Sequence, residues 1–253
     1  MKVRVLSSGS KGNTTYIETE ETKILIDIGN TCKYIKERMV ELNINPNELD
    51  GILITHTHND HIKGLKVFQK KYNTKIYIAP NMLDEIPYVE NYEIINSNIV
   101  KIKDIEVEII KTSHDAEDSR GFIINNNNKS IVYITDTGYI NNRYFDTLKN
   151  RDIYIFESNH DIEMLNNGPY PFKLRQRILG DKGHLSNYDS ARYLSEFIGD
   201  KTKYIILAHL SEENNTKELA YNTLIEKLKE NEQHVDNILI ASQNEETELI
   251  EIW

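Results

Sequence analysis

Short apolar runs, each bounded by polar residues, recur along the whole chain. Their length and their content of Ile, Val, Tyr and Phe are typical of β-strands. Four consecutive Asn residues at 125–128 separate two of these runs and indicate a hairpin turn. The pattern predicts strands at 3–6, 15–18, 23–27, 51–55, 75–78, 99–110, 121–124, 130–134, 152–156, 204–208 and 238–242.

Four longer stretches carry apolar residues three or four positions apart, which is the spacing of an amphipathic helix. They predict helices at 32–42, 61–72, 187–198 and 216–229. Asn187 and Thr216 are expected to cap the last two helices, and Gly199 is expected to end the third. Because strand pairs occur in both halves with helices between them, the pattern favours an α/β sandwich over one parallel sheet. No linker divides the chain, so we expect a single domain over residues 1–253.

The composition is that of a folded, enzyme-sized protein, since 39% of the 253 residues are hydrophobic and 28% are charged. The net charge of −10 argues against broad, non-specific binding of nucleic acid but leaves room for a local basic groove. No apolar stretch approaches the roughly 20 residues that span a bilayer, and the first strand reaches Ser7 too soon for a secretory signal. Together with the single cysteine, Cys32, this predicts a cytoplasmic protein without membrane association.

The predicted strand at 51–55 is followed by the hexapeptide His-Thr-His-Asn-Asp-His, which holds three imidazoles and one carboxylate. Burying such groups without partners is costly, so packing does not explain them. His56 and His58 lie two positions apart, point to the same side of an extended chain and can share one ion. Asp60 and His61 follow where the chain turns and can face a second ion. The structural alternative is a solvated loop that is rich in histidine.

Three more residues of ligand type each follow a later strand: His114, Asp136 and His209. Residues at strand ends lie on loops that a rigid sheet positions. Taken singly, either histidine is also explained as a surface or core residue, and Asp136 as a turn former. Their shared placement predicts that they complete a site for two metal ions.

The hexapeptide and these later residues resemble the metallo-β-lactamase superfamily, whose HxHxDH signature is matched in full. The resemblance runs from Leu6 to about Ser211 and implies an αββα four-layer sandwich, with two mixed β-sheets flanked by helices and metals at one edge. It implies two divalent ions, with Zn²⁺ favoured and Mn²⁺ or Fe as alternatives for the same donors. It assigns His56, His58 and His114 to one ion and Asp60, His61 and His209 to the other, with Asp136 bridging them.

Other segments are similar to the WalJ group (YycJ, VicX) of this superfamily, which implies a 5′-to-3′ exonuclease of DNA. They are the loop at 7–13, Asp115-Ala116, the segment 157–161, Gly183-His184-Leu185-Ser186 and the segment 207–215. The order of motifs around His184 is also similar to ribonuclease Z, in which the corresponding histidine contacts the scissile phosphate. The chain lacks the glycine-rich arm of that enzyme. His209 follows Asp136 by only 73 residues (209 − 136), which is too few for the inserted domain of the large RNA-processing members.

The sequence therefore predicts a two-metal hydrolase that cleaves phosphodiesters of nucleic acid, with DNA as the expected substrate. Asp60 is expected to orient the attacking water or accept its proton, and His184 to donate to the phosphate or its leaving oxygen. Glu157 is a candidate for fixing a ligand imidazole. The basic segment at 172–178, with Lys182 beyond it, is a candidate guide for the nucleic-acid backbone or a plain solvated helix face.

Two rival functions stay open at this point. One is hydrolysis of a small thioester, lactone or cyclic phosphate by the same metals, which the absence of a basic groove would favour. The other is a metal-binding regulatory protein with vestigial activity, against which the seven intact residues of ligand type argue.

Overall fold

Two seven-stranded β-sheets form the centre of the protein in a computed structural model that describes all residues from 1 to 253. The strands are β1 (Lys2–Ser7), β2 (Thr14–Glu18), β3 (Lys23–Ile26), β4 (Gly51–Leu53), β5 (Ile76–Ile78), β6 (Tyr92–Ile94), β7 (Ile99–Ile102), β8 (Ile105–Lys111), β9 (Arg120–Asn126), β10 (Lys129–Ile134), β11 (Ile153–Glu157), β12 (Tyr204–Ala208), β13 (Asn237–Ile240) and β14 (Ile250–Glu251). The helices are α1 (Cys32–Glu41), α2 (Asn59–Ile62), α3 (Leu65–Tyr72), α4 (Met82–Glu85), α5 (Phe145–Leu148), α6 (Ile162–Asn167), α7 (Phe172–Leu179), α8 (Asn187–Phe197) and α9 (Lys217–Glu230). None of these helices is long and apolar enough to cross a membrane.

Both sheets are mixed, with one parallel half and one antiparallel half. The first sheet has the order β14-β1-β2-β3-β4-β5-β6, and its strands run parallel from β3 to β6. The second has the order β13-β12-β11-β10-β9-β8-β7, and its strands run parallel from β10 to β13. The carboxyl ends of neighbouring parallel strands share one edge of each sheet, so the residues that follow these strands come together.

Three hydrophobic clusters separate four layers of structure. The largest comprises 24 buried residues from the inner faces of the two sheets. A second cluster joins the first sheet to α1 and α3, and a third joins the second sheet to α8 and α9. Each sheet is therefore buried on both faces, which explains its long runs of Ile, Val and Leu. This arrangement confirms the αββα sandwich expected from the sequence.

The hairpin predicted at 125–128 is confirmed. Asn126 pairs with Lys129 across a two-residue turn, and Asn127 has a φ of +53°, a left-handed conformation that asparagine tolerates well. The single strand predicted at 99–110 is wrong, because the chain turns back at Lys103 and forms the antiparallel pair β7 and β8. The short strands β6 and β14 were not predicted; they have three and two residues.

Two of the predicted helices need correction at their starts. The helix predicted at 61–72 is two helices, α2 and α3, because the Gly64 N–H donates to the carbonyl of Ile28 at 2.9 Å instead of continuing the helical ladder. Helix α8 is capped by Ser186 and not by Asn187, since the Ser186 hydroxyl accepts from the N–H of Asp189 at 3.0 Å. Thr216 caps α9 as predicted.

Two neighbouring loops, one before β2 and one after β3, hold the segment 56–64, called the metal loop below, against the first sheet. The Asn13 N–H donates to the carbonyl of Asp60 at 2.8 Å, and the Ile28 N–H donates to that of His61 at 2.8 Å. Gly29 lies so close that a Cβ atom there would meet the Asp60 carbonyl oxygen at 1.7 Å. The backbone of the metal loop is therefore fixed on the side that faces the first sheet.

The Gly29→Ala substitution is expected to displace the metal loop and to destabilise the protein by about 1–3 kcal/mol, the range for overpacking a tight site. Gly180→Ala is the matched control, because its added Cβ would meet the nearest atom, the Gln176 carbonyl oxygen, at 3.2 Å. Urea unfolding of both variants measures the difference. Equal stability of the Gly29 variant and the wild type would contradict the close approach.

Candidate metal centre

All seven residues that the sequence singles out as metal ligands lie together at one edge of the sandwich. They come from four strand ends, and five of them are buried. His56, His58, Asp60 and His61 follow β4, His114 follows β8, Asp136 follows β10, and His209 follows β12.

The side chains fall into two groups with a shared member between them. Within the group His56, His58 and His114, one ligand atom of each residue lies within 4.8 Å of the others. The same holds for Asp60, His61 and His209. Asp136 forms a further group with His56 and His61, so its carboxylate lies between the two sets.

A neighbouring group extends the cluster on the side of the second sheet. It consists of Asp136, Glu157, His184 and His209. Glu157 is the last residue of β11, and its Oε1 lies 2.7 Å from Nδ1 of His184 and 3.1 Å from Nδ1 of His209. Both imidazoles therefore donate Nδ1–H to the same carboxylate. This leaves Nε2 of each ring for another partner.

Several buried polar atoms of the cluster have no hydrogen-bond partner within the protein: Nε2 of His56, Nε2 of His209 and Oδ2 of Asp136. An unpartnered polar atom in the interior costs roughly 1–3 kcal/mol. Imidazole nitrogens and carboxylate oxygens are donors that divalent transition-metal ions accept. The residues present therefore fit a divalent metal centre, because an ion satisfies the atoms that the protein leaves without a partner.

Asp27 is a part of the site that the sequence did not reveal. It follows β3, is fully buried, and its Oδ2 lies 2.7 Å from Nδ1 of His61. Oδ1 accepts the Thr55 N–H and Oδ2 accepts the Thr55 hydroxyl, both at 2.8 Å. Asp27 therefore fixes the ring of His61 so that Nε2 faces the cluster. The sequence feature that could have identified Asp27 is its place as a carboxylate at the end of an apolar strand, directly before Ile28-Gly29.

The backbone at three strand ends adopts the left-handed conformation, which non-glycine residues seldom use. The φ angles are +59° at Asp27, +54° at Asp136 and +57° at His209. Each such residue costs on the order of 1–3 kcal/mol, and such strain gathers at functional sites. The turns aim these three side chains across the edge of the sandwich and into the cluster.

The two halves of the cluster differ in their proton affinity. Burial and the neighbouring His61 lower the pKa of His56 well below its usual value. Burial also opposes protonation of His209, but the carboxylates of Asp136 and Asp60 outweigh it and raise its pKa to about 10. Burial likewise opposes ionisation of Glu157, yet His184 and His209 lower its pKa to about 2. Glu157 is thus a carboxylate, and His56 is a neutral imidazole with a free lone pair.

A polar cavity of about 170 Å³ opens beside this cluster. Helix α7 forms one side of it, and Arg177 from this helix pairs with Asp115, the residue after His114. Arg175 turns away and donates to the carbonyl of Asn166, as expected from its helical position. The lining combines basic, hydroxyl and amide side chains: Ser10, His114, Asn159, Tyr170, Leu174, Arg177, Ile178, Lys182, Gly183, His184 and Ser211.

Comparison with known proteins identifies the relatives of the chain. The profile of the metallo-beta-lactamase superfamily matches residues 8–209. The chain is 40% identical over 233 residues to exodeoxyribonuclease YycJ of Bacillus anthracis, which covers 89% of this chain and 88% of that protein. It is also 40% identical over 236 residues to exodeoxyribonuclease WalJ of Streptococcus pneumoniae, and this match covers 90% of this chain and 88% of that protein. The crystal structure of the metallo-beta-lactamase fold protein YhfI from Bacillus subtilis superposes with a TM-score of 0.72 at 15% identity. The superposition covers 98% of this chain and 99% of that one.

The Asp27→Asn substitution is expected to weaken divalent-metal binding about 10- to 100-fold, the usual cost of losing a carboxylate behind a ligand imidazole. Asp152→Asn is the matched control: Asp152 is buried too, and it accepts from the N–H and hydroxyl of Ser130 at 2.9 and 3.0 Å, but it precedes β11 at the opposite end of the sheet. Titration of metal-free protein with Zn²⁺ gives the affinities. Equal loss in both variants would mean that Asp27 acts only through stability.

Proposed function

This chain belongs to the metallo-β-lactamase superfamily, and on that basis we propose that it is a metal-dependent nuclease that degrades DNA from a 5′ end. The observation that carries the proposal is the juxtaposition of the His and Asp cluster with a cavity that Arg177 and Lys182 line. Two relatives that share 40% identity over about nine-tenths of the chain carry the name exodeoxyribonuclease, which supports the same activity.

The proposed centre holds two divalent ions. His56, His58 and His114 would bind one, Asp60, His61 and His209 the other, and Asp136 both. Such ions supply Lewis acidity, which makes water a stronger nucleophile near neutral pH and offsets charge on a reacting phosphate. We favour Zn²⁺ because imidazole nitrogens dominate the donor set, and we retain Mn²⁺ as the alternative for the active nuclease.

Asp60 is proposed to orient the attacking water. Its Oδ2 lies 3.5 Å from Nε2 of His61 and 3.7 Å from Nε2 of His209. Burial disfavours its charge, but His61 and His209 outweigh this effect and hold its pKa far below the usual value. A carboxylate of such low proton affinity is a weak base. Asp60 therefore acts chiefly by accepting a hydrogen bond from the water and aligning it with phosphorus.

His184 is proposed to serve the phosphate. Its Nδ1–H is bound to Glu157, its side chain is 18% exposed, and it lines the cavity. No protein group bonds its Nε2, so in the doubly protonated ring the Nε2–H would be free to donate to a phosphate or leaving oxygen. Lys182 lies on the same cavity and supplies positive charge for the strand, while Arg177, which also lines it, is held by Asp115. The exposed Phe172 (66%) at the start of α7 offers a ring on which a base can stack.

The basic side chains of the cavity weigh against the first rival with a small thioester or lactone as the substrate, because neither carries a phosphate for Arg177 or Lys182 to bind. A cyclic phosphate, the third substrate of this rival, does carry one, and only the two exodeoxyribonuclease relatives weigh against it. The second rival is a regulatory protein with a vestigial site. The presence of every ligand-type residue in one cluster weighs against it.

Incubation of the protein with end-labelled single- and double-stranded DNA tests the proposal. We expect cleavage in the presence of Zn²⁺ or Mn²⁺, with label at the 5′ end released first as mononucleotide, and loss of cleavage by at least about a hundredfold in His58→Ala. His234→Ala is the control, because His234 is exposed and lies in the segment before β13. Absence of metal-dependent cleavage of either DNA would overturn the nuclease assignment.

The His184→Ala substitution is expected to lower kcat about 100-fold, within the range for losing a proton donor, while metal content stays at the wild-type level. Glu157→Gln should lower kcat and also weaken metal binding, because Glu157 contacts both His184 and His209. Steady-state kinetics and elemental analysis of the two variants separate these roles. A fall in metal content of the His184 variant would show that His184 is itself a ligand.

A further inference from the structure

An acid-free stretch of the chain begins directly after the metal loop hexapeptide. Between Asp60 and Asp84 there is no Asp or Glu, although the net charge of the whole chain is −10. The stretch holds five lysines, and only Lys75 pairs with a carboxylate, that of Glu93 at 3.2 Å. The other four are exposed on or just before α3: Lys63, Lys66, Lys70 and Lys71.

Two of these lysines form a row on α3. Lys66 and Lys70 lie four positions apart, so they share one side of the helix. Lys63 lies in the turn between α2 and α3, only two residues after His61. The positive charge therefore begins at the metal loop and continues along α3.

The opposite side of α3 is buried, which keeps this row facing outward. Leu65 and Phe68 pack in the hydrophobic cluster under the first sheet, and the Gln69 amide donates to the carbonyl of Asn91 at 2.9 Å. The ammonium of Lys66 lies 5.4 Å from the ring centre of Tyr88. A groove of about 460 Å³ runs beside the row and contains one carboxylate: it is lined by Lys66, Gln69, Lys70, Asn73, Tyr88 and Glu90.

The basic surface continues from α3 onto α1. Ile35 of α1 shares a hydrophobic cluster with Leu65 and Phe68 of α3, and Lys36, the next residue of α1, is exposed. The nearby acid Glu37 is itself 3.8 Å from the ammonium of Lys33. We call the surface formed by Lys36, Lys63, Lys66, Lys70 and Lys71 the lysine face.

We propose that the lysine face binds the phosphate backbone of the nucleic-acid substrate, as a second contact surface besides α7. The proposal rests on the proposed nuclease function. Positive charge that begins at the metal loop and continues along α3 matches a polyanion whose scissile bond lies at the metals, because neighbouring phosphates then fall along this charge. The lysines carry no base-reading geometry, so the contact fixes position and not sequence.

The test compares the triple variant Lys66→Gln, Lys70→Gln, Lys71→Gln, all on α3 and outside the metal loop, with a control that removes the same charge elsewhere. The control is Lys101→Gln, Lys203→Gln, Lys229→Gln, three exposed lysines outside the face. Binding of a fluorescent 30-base-pair duplex is measured by anisotropy at several salt concentrations, separately from cleavage. Hydrolysis of bis(4-nitrophenyl) phosphate, too small to reach α3, reports on the metal centre.

We expect the triple variant to lose about tenfold or more in duplex affinity. The slope of the logarithm of affinity against the logarithm of salt concentration should become shallower by about one for each lysine removed. Its hydrolysis of the small phosphodiester should equal that of the wild type. Equal effects of the triple variant and the control would overturn the proposal, since only the global charge would then matter. Unchanged DNA binding would also overturn it and leave an acidic protein as the partner of the face. If the wild type binds duplex through these lysines but cleaves no phosphodiester, the proposed function fails and the lysine face stands.

Discussion

The buried carboxylate of Asp27 joins the ends of β3 and β4 and thereby sets the geometry of the whole site. One oxygen accepts the backbone N–H of Thr55, and the other accepts the Thr55 hydroxyl and the Nδ1–H of His61. These bonds decide where the metal loop leaves the sheet and which nitrogen of His61 faces the cluster. Glu157 performs the matching task in the second sheet for His184 and His209. Each sheet thus contributes one carboxylate that orients imidazoles.

The two sheets create the site because the strands that precede its residues, β4, β8, β10 and β12, end at a common edge. Without metal, the resulting cluster destabilises the fold, since it buries polar atoms without partners and holds Asp136 and His209 in a left-handed backbone conformation. Bound divalent ions offset that cost, so fold and chemistry depend on each other. Around the centre, positive charge is gathered on α3 and α7, while the chain as a whole is acidic. Under the proposed function, such local contrast would direct a polyanion to the metal centre.

The metal-ligand candidates that lie close together in the sequence are the easiest to predict from it. His56 to His61 form a contiguous signature, and His114, Asp136 and His209 were recognised because each follows a strand. Asp27 was missed because its role depends on the pairing of β3 with β4, which a single sequence does not display. The break between α2 and α3 has the same origin, since it arises from a hydrogen bond of Gly64 to the distant Ile28. Ser186 and Asn187 are both good caps, so the choice between them needed the backbone.

The proposed mechanism requires two metal ions at the junction of the two sheets. Crystals of the zinc-loaded protein, measured at the zinc absorption edge, give the positions of bound ions directly. We expect two anomalous peaks roughly 3.5–4 Å apart. One should lie within reach of His56, His58 and His114 and the other within reach of Asp60, His61 and His209, with Asp136 between them. A single peak held by Glu157 and His184, or no peak at this edge, would contradict the proposed mechanism.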